Sequence, residues 1–137
     1  MTAVQSTRPG PSETDLAAQP LQIAVEHPRP DAIVIAVTGS VDGSTIRHLE
    51  DVLWPRLAAF TGTIAIDLTE VAPLEVPGLQ LLTQAHMRTQ ARGVELRVVV
   101  ASEHVREGLR AAGLEVLLDI RPTVAAALAA DDHCVPV

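Results

Sequence analysis

The sequence predicts an α/β fold, one domain with a mixed, mostly parallel sheet opened by an N-terminal β-hairpin, and three observations carry that prediction. From Ile33 onward, β-branched apolar runs alternate with segments whose apolar residues recur every three or four positions. Two apolar runs before the first such segment are separated only by a Pro-rich interruption. The chain has 137 residues, 47% of them apolar, which suits a single core rather than two.

Met1 to about Ala18 is rich in Ser, Thr, Pro, Gly and Gln without periodicity, so residues 1–20 are expected to be a flexible leader. The domain is expected over 21–130, and 131–137 as a short polar tail. Leu21, Ile23 and Val25 alternate with polar or small residues, His27 to Asp31 interrupts, and Ile33 to Val37 follows as the second strand of the hairpin. After Gly39 the period lengthens. Ile46, Leu49, Leu53, Leu57 and Phe60 share one helical face, which starts a first helix at Ser44 or Thr45. Pro55 lacks the amide that would reach the Asp51 carbonyl, so a kink or an early end is expected there.

Thr63 to Leu68 reads as the third strand and Pro77 to Arg92 as the second helix, stopped by Gly93. Leu96 to Ala101 is the fourth strand, and Ser102 can cap a third helix bearing Val105, Leu109 and Ala112. A short strand at Val116 to Ile120 and a last helix from about Thr123 to Ala129 complete the alternation. Strand and helix in turn imply parallel pairing with crossovers.

The missing residue types exclude whole chemistries. No Lys is present, which removes a P-loop lysine, a Schiff-base lysine and a receiver-type lysine. Trp54 and Phe60 are the only aromatics of their class, so no stacking platform for bases or sugars exists. A formal charge of −7 argues against nucleic acid as a partner. No run approaches the ~20 apolar residues of a membrane span, and Met1 to Pro20 lacks a signal peptide's apolar stretch. With one cysteine, Cys134, no internal disulfide forms, and a cytoplasmic location is expected. The histidines at 27, 48, 86, 104 and 133 have no metal-ligand spacing. No nucleophile elbow or dinucleotide fingerprint occurs, so neither an enzyme nor a cofactor is expected.

In a parallel sheet, sites gather where strands end and helices begin. Two such junctions stand out, Thr38 to Thr45 and Asp67 to Gly78. The element order, the Gly39-Ser-Val-Asp42 turn, the Ile66-Asp67-Leu68 strand end, the Leu74-to-Leu79 approach to the second helix, and Gly113-Leu-Glu-Val with a final Ala-rich helix together resemble the STAS domain of bacterial anti-sigma factor antagonists over about Leu21 to Ala130. The resemblance implies helices mainly on one face of the sheet and a non-catalytic domain that binds a kinase-type anti-sigma factor and so frees a sigma factor.

One departure from that family matters. Its second junction usually reads Leu-Asp-Ser-Ser/Ala-Gly-Leu, with the first Ser phosphorylated by the partner. Here Leu74-Glu-Val-Pro-Gly-Leu79 puts Val76, which has no hydroxyl, at that position. With Pro77 as the first helical residue, residue 76 is expected to be the helix N-cap, where a phosphate would meet the positive helix end. Glu75 keeps one negative charge there, as the family's Asp does.

Partner contacts are therefore expected from Asp42, Ser44, Thr45, Leu74, Glu75, Val76, Gly78 and Leu79. Ser44, Thr45 and Thr69 are the remaining hydroxyls for a phosphate. Plainer readings accompany these. Asp42 can be a turn residue, Asp67 can close a strand end by accepting from backbone amides, and Glu75 can simply complement the helix dipole. The rival functions are a ligand-sensing or scaffolding STAS module and an enzyme with a cation held by Asp42, Asp67 and Glu75. A homodimer stays open.

Overall fold

The computed structural model describes residues 21–133, with side chains to 129. The expected leader, residues 1–20, and Cys134 lie outside the described residues. Strands β1 (Gln22–Arg29) and β2 (Ala32–Val41) form the hairpin, followed by α1 (Ile46–Ala59), β3 (Thr63–Leu74), α2 (Val76–Arg92), β4 (Glu95–Val99), α3 (Glu103–Ala111), β5 (Asp119–Arg121) and α4 (Val124–His133). The sheet runs β1-β2-β3-β4-β5 in sequence order, antiparallel in the first pair and parallel in the rest.

The period-two pattern of each central strand decides the layers. Ile33, Ile35, Val37, Ile64, Ile66, Leu68, Leu96, Val98 and Val100 point to one face. There they meet Leu49, Leu53 and Leu57 of α1, Leu81, Leu82 and Ala85 of α2, and Val105 and Leu109 of α3. The alternate residues Val34, Ala65 and Val99 turn to the other face, where Ala127, Val124 and Leu128 of α4 cover them. Three helices thus share one face and the fourth takes the other.

Four expectations are corrected. The third strand does not stop at Leu68 but continues to Leu74 beside β2. Ala36 pairs with Asp67, Thr38 with Glu70 and Val41 with Leu74, so β3 carries an extra residue in each interval. Those slips broke the alternation on which the shorter boundary rested. Pro55 does not end α1, which runs on to Ala59; nearby, the Arg56 guanidinium donates to the Val52 carbonyl at 2.8 Å.

No strand covers 116–118. After Gly113, in the left-handed region at φ 77°, the amides of Leu117 and Leu118 donate to the Leu114 carbonyl in a helical turn. Leu114 and Leu118 are buried by that one-turn spacing, Val116 is 93% exposed, and the strand begins only at Asp119. An apolar run of this length has no intrinsic period to tell strand from turn. The fourth correction, the cap of α2, belongs to the site below. Ser102 does cap α3, accepting from the amides of His104 (3.1 Å) and Val105 (3.4 Å).

Candidate functional site

The two junctions singled out in the sequence are brought together at the C-terminal end of β2 and β3. The pairing of Val41 with Leu74 places them side by side, and the Glu75 amide donates to the Val41 carbonyl at 2.9 Å. The Ser40 hydroxyl donates to the Ala72 carbonyl at 3.4 Å. Gly78 sets the spacing. A Cβ there would lie 2.6 Å from Leu74 Cδ1 and 2.7 Å from Val41 Cγ1, and Val41 is fully buried, so only a residue without a side chain lets α2 start this close to the strand ends. Gly78 is itself buried.

Asp42 organises its turn. Its Oδ1 accepts from the Ser44 amide at 2.9 Å and the Ser44 hydroxyl at 2.7 Å. Thr45 is the N-cap residue of α1, yet its hydroxyl faces backward, donating to the Ser40 carbonyl at 2.8 Å and accepting from the Asp42 amide at 3.0 Å. The Ser44 hydroxyl and then its amide hold the Asp42 carboxyl below its ordinary value of 3.8. A carboxylate with a depressed folded-state pKa contributes stability above its unfolded value, and that contribution is lost as pH falls through the depressed value. The Ser44 amide signal in NMR is accordingly expected to shift on acidification with a midpoint below 3.8. A midpoint at or above that value would contradict the turn as described.

The N-cap of α2 is Glu75, not residue 76. The Glu75 carbonyl accepts from the amides of Gly78 (2.8 Å) and Leu79 (3.1 Å), which makes Val76 and Pro77 the first and second helical residues. Proline at the second position also gives up an amide that has no intrahelical partner, which is why Pro77 fixed the cap one residue too late. No side chain caps this end. Glu75→Asp, with a carboxylate short enough to reach back to the first turn, is expected to stabilise the domain by about 0.5–1 kcal/mol. That is roughly 2–4 °C in the melting midpoint. An unchanged or lower midpoint would mean that this helix end gains nothing from a cap.

Val76 is 61% exposed, Leu74 is half-buried, and Glu75 is exposed. Beside them a shallow groove of about 260 Å³ is lined by Val76, Leu79, Gln80, Thr83, Ala112 and Leu114. Ala112 and Leu114 were not among the expected contacts. Their signal was the Gly113 stop, which brings the end of α3 back toward α2. Asp67 takes the plainer role, its Oδ1 accepting from the Thr69 amide at 3.0 Å where the register slips. Among the described residues no three His, Cys, Asp or Glu side chains are grouped to hold a metal ion, so Asp42, Asp67 and Glu75 form no such set. No helix among the described residues is long and apolar enough to cross a membrane.

A mixed five-stranded sheet with three helices on one face, its two strand-to-helix junctions meeting at the start of α2, defines a fold class, and the comparisons agree with it. The family described as Mlab, STAS domain, matches residues 25–119, more than half of the chain. The chain belongs to the STAS domain family. Among solved structures it is similar to an anti-sigma factor antagonist from Mycobacterium paratuberculosis, at 25% identity and TM-score 0.75, covering 80% of this chain and 92% of that one. It also resembles the anti-sigma factor antagonist SpoIIAA in its unphosphorylated form, at 17% identity and TM-score 0.68 over 82% of this chain and 97% of that one. The Bacillus cell fate determinant SpoIIAA in its phosphorylated form aligns at 16% identity and TM-score 0.61, over 78% and 96%. A search of curated proteins gave no significant match.

Proposed function

We propose that this chain is a cytoplasmic, non-catalytic anti-sigma factor antagonist homologue that binds a kinase-type anti-sigma factor and cannot take the phosphate that the family's partner places on Ser. The observation that carries the reading is Val76. It stands exposed on the first turn of α2, at the position matching the family's phosphoacceptor, with the Asp42 turn beside it and no hydroxyl to modify. The similarity to an anti-sigma factor antagonist at TM-score 0.75 supports the partner class.

Asp42, Ser44, Thr45, Leu74, Glu75, Val76 and Leu79 form the proposed contact surface, with buried Gly78 setting its shape. Exposed Val76 and half-buried Leu74 give an apolar centre, and Asp42 and Glu75 a charged rim. Of the fallback hydroxyls, Ser44 and Thr45 already donate to Asp42 Oδ1 and the Ser40 carbonyl. A kinase would have to break those bonds to reach them.

The test is phosphopeptide mapping after incubation with the partner and ATP. No phosphate is expected at residue 76, and none in stoichiometric amount at Ser44, Thr45 or Thr69. Stoichiometric phosphate at any of those three would sink the unswitched reading.

A further inference from the structure

We infer that the foot of the α1–α2 layer is a second docking surface, for an acidic amphipathic helix of a partner protein. Both helices start at the sheet end that holds the first site and run away from it. From Val76 to Arg88 the path along α2 is about 18 Å at the usual rise per residue. At this far end a cleft of about 280 Å³ opens between the helices, lined by Trp54, Leu57, Ala58, Arg88, Ala91 and Arg92. Leu57 is buried, while Ala58 and Ala91 are small and exposed, so one large apolar side chain can approach between them.

The charge at the mouth selects the partner. The Arg88 guanidinium lies 4.0 Å above the centroid of the Trp54 ring. The N–H groups of Arg88 have no acceptor among the described residues, so they are available to a partner's carboxylate. Arg92 donates through Nη1 to the carbonyls of Leu57 (2.6 Å) and Phe60 (2.8 Å), and its Nε and Nη2 have no acceptor among the described residues.

Toward this end α1 and α2 carry Arg56, Arg88 and Arg92, while their acidic residues Glu50 and Asp51 lie in the first half of α1, in a chain whose net charge is −7. The cleft end of the layer is basic on an acidic protein, and so complementary to carboxylates. Arg88 and Arg92 are one helical turn apart, the spacing at which a partner helix presents two carboxylates on one face. The same net charge repels a nucleic acid or an anionic membrane over the rest of the surface. This inference stands apart from the anti-sigma reading, because it uses none of the residues of the first site.

Trp54 is the only tryptophan, so its emission reports the cleft directly. The probe is a synthetic amphipathic helix with Leu along one stripe and Glu on both flanks, titrated into the full-length protein. Its controls are a Lys-flanked peptide of the same Leu pattern and the variants Arg88→Glu, Ala91→Glu and Val76→Asp, each checked for fold by far-UV circular dichroism. A saturable shift in Trp54 emission is expected with the Glu-flanked peptide alone. Arg88→Glu and Ala91→Glu should weaken it at least about tenfold, and Val76→Asp should leave it unchanged. If Arg88→Glu disturbs the fold, Ala91→Glu decides.

The proposal is overturned by the absence of a saturable shift, by an equal response to the Lys-flanked peptide, or by undiminished affinity in the folded variants. Loss of the response in Val76→Asp would also overturn it, as would an emission shift that follows protein concentration without peptide, since a second copy would then be the occupant.

Discussion

Arg97→Ala is expected to lower the melting midpoint by roughly 10 °C, a large effect for the loss of one polar side chain. Arg97 sits in β4, only 3% exposed. Its Nη1 donates to the Ala127 carbonyl at 2.7 Å, its Nε to Asp119 at 3.1 Å and its Nη2 to Glu95 at 3.2 Å. One side chain therefore ties α4 and the edge strand β5 to the centre of the sheet. Truncation leaves a buried carbonyl without that donor and a void where the alkyl stem lay.

Breaking a buried ion pair from one side costs about 3–5 kcal/mol. Asp119 is partly exposed and keeps Arg121, which donates to it through Nε and Nη2, so a loss of about 2–4 kcal/mol is the discounted expectation. Thermal unfolding of the two proteins side by side measures it. A cost below about 1 kcal/mol would mean that packing of Val124, Ala127 and Leu128 alone holds α4 on the sheet.

Asp42→Ala and Val76→Asp are expected to weaken anti-sigma factor binding by at least about tenfold each while leaving the fold intact. The reasons differ. Without the Asp42 carboxylate the Ser44 amide and hydroxyl lose their acceptor, so the turn no longer holds one conformation against the partner. Val76→Asp puts a charge at the apolar centre of the proposed contact, where it must be desolvated on binding. Because Val76 is exposed at the first position of α2, an acidic residue there does not harm the helix itself. Titration calorimetry against the purified partner reads both effects. Undiminished affinity in both variants would move the interface elsewhere.

The layers of this fold were legible because two periods sit side by side in the sequence. The spacing of Leu49, Leu53 and Leu57 marks a helix face, and the alternation of Leu21, Ile23 and Val25, followed by the β-branched run Ile33 to Val37, marks the hairpin strands. What stayed hidden was information that no period carries. The two slips between β2 and β3 arise from the pairing of two strands, so the continuation to Leu74 was not visible in β3 alone. Leu114 and Leu118 are packed at one-turn spacing, a choice made by the surrounding core.

At the site, the two junctions were legible as strand ends that precede helices, but the cap of α2 was assigned one residue late. Proline is compatible with either of the first two helical positions, and only the Glu75 carbonyl, accepting from Gly78 and Leu79, tells them apart. Arg97 went unread because it stands inside an apolar strand. A lone arginine among Leu96, Val98 and Val99 was the available signal, since such a residue is buried only with partners.

The most direct test of the central claim is capture of partners by the tagged wild-type chain from native cell extract, in the presence of Mg²⁺ and ATP, beside the Val76→Asp variant, with retained proteins identified by mass spectrometry. The account predicts that the wild type holds an anti-sigma factor, keeps it in the presence of ATP because residue 76 takes no phosphate, and loses it when Val76 becomes Asp. Failure to retain any anti-sigma factor, or equal retention by the two proteins, would contradict it.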